Sequence, residues 1–179
     1  EITNSKLALG LVGLSEIIPA LSLALYAGHY IDINEKRKLL LTCLSLFVLC
    51  VAALVFLSSP FVTRHFTGWE IATGICIVIA CTGAIRAFSG PTFGALISQV
   101  VPRDILPAAA SISSASWLMA SITGHAMGGF LIAFIGIHGS FWVIIGLTLT
   151  GLFLVSKISA KPVLVSKAAN TWQSVKEGI

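Results

Sequence analysis

Apolar residues run through the chain in five long blocks separated by short polar or charged turns. The blocks are roughly Leu7 to Tyr30, Leu39 to Ser58, Trp69 to Val100, Ile105 to Phe134, and His138 to Ser156. A membrane-spanning helix needs about 20 mostly apolar residues, and the blocks are of that order. Backbone groups in lipid must be satisfied internally, which leaves helices or closed barrels. None of the blocks shows the strict apolar–polar alternation of a barrel strand. The pattern therefore predicts an all-α, polytopic transmembrane helical bundle with five spans over residues 1–156. A second region, 157–179, follows as a basic tail. In it Trp172, Val175 and Ile179 recur at helical spacing beside Gln173, Lys176 and Glu177, and Asn170 stands as an N-cap three residues before Gln173. That reads as the start of an amphipathic helix on the membrane surface; a plain solvated tail is the alternative.

Composition removes the soluble reading. Hydrophobic residues make up 56% of the chain and charged residues 10%, and mean hydropathy is +0.98. A soluble domain carries about 25% charged residues, so too few polar side chains exist here to cover a water-facing surface. The first apolar block follows Glu1 almost at once, with no basic leader or small-residue cleavage site, so it is not a signal peptide. A chain that opens on Glu1 and stops inside a helical pattern is expected to be a fragment of a longer protein.

Charge then sets an orientation. With five spans, Lys36, Arg37, Lys38, Arg103, Lys157, Lys161, Lys167 and Lys176 share one side, whereas Lys6 and Arg64 share the other, with Arg86 inside a span. Basic residues favour the cytoplasmic face. The expected arrangement has the N-terminus outside and the C-terminus in the cytoplasm. The net charge of +4 reflects a face that lies close to anionic lipid, and no nucleic-acid partner is expected.

Few residues carry chemistry. Glu16 lies about 13 Å into the first span at 1.5 Å per residue, near Pro19. Intramembrane acids usually face a bundle interior or a hydrated path, which makes Glu16 a cavity candidate; a protonated, hydrogen-bonded structural residue is the alternative. Arg86 in the third span cannot lose its charge and needs a carboxylate, carbonyls, water or an anion. Gly90 and Gly94 flank Pro91 and form a small-residue face for close helix packing, and the proline is expected to kink the helix. The fourth span is dense in Ala and Ser and carries Gly124-His125-Ala126-Met127-Gly128-Gly129. It is expected to pack against neighbours over much of its surface. His125 is either a titrating group or a structural one. Cys43, Cys50, Cys76 and Cys81 sit in apolar runs without metal or redox spacing, and His65 reads as a solvated loop residue. No metal or cofactor is expected. There is no HExxH, GxxxxGK[ST] or GxSxG pattern, so an enzyme, like a non-transporting membrane scaffold, is the alternative reading and not the leading one.

The stretch Gly28-His29-Tyr30-Ile31-Asp32-Ile33-Asn34-Glu35-Lys36-Arg37-Lys38, expected as a turn in water, resembles the loop between the second and third helices of the major facilitator superfamily. Arg86 matches the arginine of that superfamily's fourth helix, and Gly124 to Gly129 resembles its fifth-helix exporter signature, with His125 in the place of proline. Leu9 to Ala20 and Val101 to Ala109 resemble the branch of enterobactin exporters and related bacterial efflux carriers. Ile33 and Glu35 depart from the loop pattern, standing where basic and glycine residues are usual. The resemblance implies helices two to six of twelve, with a first helix and a C-terminal half belonging to the same transporter. It implies a bacterial inner-membrane antiporter that expels a small molecule such as a drug or siderophore by alternating access, with protons as the coupling ion. In that picture Gly28 lets helices approach, Asp32, Lys36 and Arg37 form state-dependent ion pairs at a cytoplasmic gate, and Glu16 and Arg86 serve the cavity and proton coupling.

Overall fold

A computed structural model describes residues 6–158 of the chain. The amphipathic pattern around Trp172, the basic residues Lys161, Lys167 and Lys176, and Glu1 lie outside the described residues. Five helices form: α1 (Lys6–Ile33), α2 (Lys36–Leu57), α3 (Pro60–His65), α4 (Gly68–Val100) and α5 (Leu106–Ser156). There is no strand among the described residues.

Three of these helices, α2, α4 and α5, are long and apolar enough to cross a membrane. At 51 residues α5 is far too long for one crossing. It breaks at Gly136, whose φ of 70° and ψ of 175° are open only to glycine. The chain's own contacts show that it turns back there. Leu106 follows α4 through a five-residue connection at the end where α1 meets α2. Ser156 lies at that same end, because its carbonyl accepts a hydrogen bond from Arg37 Nη2 at 2.6 Å. A helix that starts and finishes at one end must reverse between, so α5 comprises two spans, α5a before Gly136 and α5b after it. The fourth and fifth expected spans are these two arms. α1, with 28 residues, is long enough for the first, and Gly13–Ala24 is an apolar stretch within it.

α4 lies between α1 and α2, and α2 packs in turn against α5. The buried core is thin: Ala27 and Ile31 of α1, Leu40, Cys43 and Val51 of α2, and Ile71, Ala87, Thr92 and Leu96 of α4. Large apolar side chains point outward instead, Trp117 at 70% and Phe134 at 82% exposed, as suits a surface solvated by hydrocarbon.

Two connections differ from the sequence expectation. The stretch Gly28–Lys38 is not an open loop: α1 continues to Ile33 and α2 begins at Lys36, leaving only Asn34 and Glu35 outside helix. Lys36 makes so tight a turn possible, as described below. The outer segment Ser59 to Gly68 holds the short helix α3, started by Pro60 in its first turn, with the Ser59 hydroxyl accepting from the Val62 N–H at 3.5 Å. His65, expected as a bare loop residue, closes that helix with its Nδ1 2.8 Å from the Phe61 carbonyl. At the start of α4 the Thr67 N–H and hydroxyl both donate to the Glu70 carboxylate, at 2.8 and 2.9 Å. α4 itself runs unbroken through Pro91.

Candidate functional site

The close contact between α1 and α4 is made at Gly83. A Cβ built on Gly83 would fall on the carbonyl oxygen of Glu16 and within 3.1 Å of its Cα, so only glycine lets the two backbones meet at this level. One turn on from that contact, Arg86 Nη1 donates to Glu16 Oε1 at 2.6 Å. This is the one ion pair joining two helices among the described residues. Removing one partner of such a pair would leave a charge with no counterion, and the pair explains how both charges persist in spans. The side chains are not sealed in. Glu16 is 35% exposed and Arg86 66% exposed.

Arg86 opens onto a cavity of about 370 Å³ between α4 and α5a, lined by Trp117, Ala120, Ser121, Gly124 and His125. The His125 Nδ1 lies 2.6 Å from the Ser121 carbonyl. A carbonyl only accepts, so Nδ1 carries the hydrogen, and Nε2 of the neutral ring is the acceptor. The structure thus brings together Arg86, Glu16 and the α5a face that bears His125.

The second expected cluster, at the basic end, is assembled differently from the expectation. Lys36 is buried, 7% exposed, and its ammonium donates to the carbonyls of Asp32 at 2.9 Å and Asn34 at 3.2 Å. It caps the C-terminus of α1, where a cation also complements the helix dipole. Arg37 does the same for the last carbonyl of α5b. In this structure both cations hold backbone oxygens, and Asp32 contributes its carbonyl. The one ion pair here is local, Lys38 Nζ to Glu35 Oε2 at 2.8 Å. Arg37 Nε and Glu35 Oε1 are buried without a hydrogen-bond partner.

The glycines expected to carry close helix packing do not do so among the described residues. Cβ atoms at Gly28, Gly90, Gly94, Gly124, Gly128 or Gly129 would meet nothing within 4 Å, and Pro91 beside them is exposed. Packing falls to Gly83 because the α1–α4 crossing lies there. Its signal was present in the run of small residues Ala80-Cys81-Thr82-Gly83-Ala84. A second missed residue is His138, whose Nδ1 lies 3.1 Å from the Ser58 hydroxyl. Ser58 donates its own hydrogen to the Val55 carbonyl at 2.9 Å, so His138 is the donor in that contact. The four cysteines are free thiols, and no group of three or more His, Cys, Asp or Glu capable of holding a metal occurs among the described residues.

A polytopic helical bundle with a paired acid and base bordering a cavity in its spans has the build of a membrane solute carrier. Residues 1–177 match the sequence model of the Major Facilitator Superfamily, and the chain belongs to that superfamily. Membership makes it a secondary transporter by family, set in a lipid bilayer. No curated protein and no solved structure matches the chain.

Proposed function

We propose that the chain forms part of a proton-coupled exporter of a small molecule, a drug or siderophore, working by alternating access in a bacterial inner membrane. The observation that carries this reading is the Glu16–Arg86 pair at 2.6 Å beside a cavity with His125 on its opposite wall. Protonation of Glu16 abolishes its charge and releases Arg86 toward the cavity; loss of the proton restores the pair. Trading the ion pair against a bound proton in this way would link proton binding to a change of conformation. The basic end, with Lys36, Arg37, Lys38 and Arg103, is the cytoplasmic face by the positive-inside rule, which puts the Gly28–Lys38 turn at the inner gate. The open faces of Gly90, Gly94, Gly124 and Gly128 accept the first helix and the C-terminal half implied by the family resemblance.

The test is proton flux in proteoliposomes carrying the whole transporter, read by a trapped pH dye as drug cations or catechol-type chelators are added. Substrate-dependent proton movement is expected in the parent protein, and its loss in Glu16→Gln with membrane insertion unchanged. Flux in Glu16→Gln equal to the parent's would reject Glu16 as the coupling group.

A further inference from the structure

The cavity beside the Glu16–Arg86 pair has a shape and a hydrogen-bonding pattern that narrow what can enter it. Its α5a wall is one helix face, because Trp117, Ala120, Ser121, Gly124 and His125 recur at the steps that line side chains up along a helix. Trp117 and His125 stand at the two ends of that face, about 12 Å apart along the axis at 1.5 Å per residue. Between them no lining side chain is longer than the Ser121 hydroxymethyl. The wall is therefore a shallow notch closed at each end by a ring, and a flat aromatic occupant packs there against the indole.

The polar groups of the two walls are complementary to each other in kind. Arg86, on the α4 side, offers only N–H donors, of which Nη1 is engaged by Glu16. On the α5a side the His125 Nδ1–H is turned to the Ser121 carbonyl at 2.6 Å, so Nε2 points away from its helix as an acceptor. An occupant that satisfies both walls carries an acceptor and a donor.

Charge decides the rest. With Glu16 paired to Arg86 at 2.6 Å, no net charge is left over for an occupant to neutralise. An anion could take Arg86 only by leaving Glu16 a bare carboxylate, which is costly within a span. A cation would face the guanidinium. We propose that the cavity takes a small, neutral aromatic molecule, with a carbonyl acceptor for Arg86 and a hydroxyl donor for His125. The assignment rests on this cavity being the transport site, and it narrows the cargo to uncharged aromatic compounds.

The test titrates the whole transporter in nanodiscs at neutral pH with methyl para-hydroxybenzoate, its methyl ether and para-hydroxybenzoate. Saturation-transfer NMR is read as the difference from empty nanodiscs. The phenol ester should bind saturably, and the ether about fivefold more weakly because it leaves Nε2 without a donor. The carboxylate should not bind. His125→Phe keeps a ring and loses the acceptor, so it should bind ester and ether equally. That side chain bonds only to its own helix, and the variant should fold; the parent's ranking of the three compounds decides the matter without it. Equal binding of ester and ether by the parent overturns the assignment. So does a preference that survives His125→Phe, or a carboxylate that binds as tightly as the ester. Proton flux evoked by other compounds while the ester fails to bind also overturns it, and leaves the coupling role of Glu16 standing. The full binding pattern without proton movement supports the site and removes the coupling role instead.

Discussion

The two arms of α5 follow one another through Gly136 and have almost nothing else in common. α5b is fastened to α2 at both ends, by Arg37 to the Ser156 carbonyl and by His138 to the Ser58 hydroxyl, and it buries Ser140. α5a is longer and much richer in small residues, yet none of its side chains is buried, and Trp117, Met119 and Ile122 stand about 70% exposed. The fourth span is expected to pack on many sides, and among the described residues it does not. The difference teaches what small residues do in a membrane. Hydrocarbon gives helices no hydrophobic reason to associate, so contact depends on backbones fitting closely or on hydrogen bonds between helices. α5b has such bonds within the chain. α5a has the smooth face without a partner helix among the described residues to meet it.

Three substitutions probe this contrast, beginning with the largest expected effect. Gly83→Leu forces a side chain into the backbone of Glu16, where nothing flexible can yield. Overpacking of this kind costs about 1–3 kcal/mol, and a thermal-unfolding assay in detergent should place this variant lowest. A melting point like the parent's would mean that α1 and α4 do not touch there. Gly136→Ala puts a Cβ on a glycine-only conformation between the arms, at a cost of about 1–2 kcal/mol. Hydrogen exchange should quicken at the ends of α5a and α5b nearest the turn, whereas unchanged exchange would show that the arms are not hinged at Gly136. Ser58→Ala removes one end fastening of α5b and should cost roughly 0.5–1.5 kcal/mol. Exchange should rise near His138 and stay constant in α5a. A rise spread evenly over both arms would erase the distinction drawn between them.

The spans were legible because hydropathy over 20 residues is a strong, additive signal. The block limits Leu39 to Ser58 and Trp69 to Val100 fall within three residues of α2 and α4. The charges of Gly28–Lys38 mark a turn, but nothing local announces that a lysine will fold back onto helix carbonyls and shorten it to Asn34 and Glu35. Ser59-Pro60 is a helix-start signal for α3, but six residues between two spans carry the same composition as a loop. At the site, Glu16 and Arg86 stood out singly because charges are rare in spans. That they meet each other depends on how α1 crosses α4, which pattern along a chain does not encode. Gly83 illustrates the same limit: glycine spacing marked Gly90, Gly94, Gly124 and Gly128 as packing points, while the crossing chose another.

The first turn of α2 joins two helices that are otherwise remote from each other. Lys36 and Arg37 are consecutive, so their side chains leave the helix about 100° apart, one grasping the tail of α1 and the other the tail of α5b. Two neighbouring side chains on one turn of α2 thus hold the ends of two helices that lie on different sides of it.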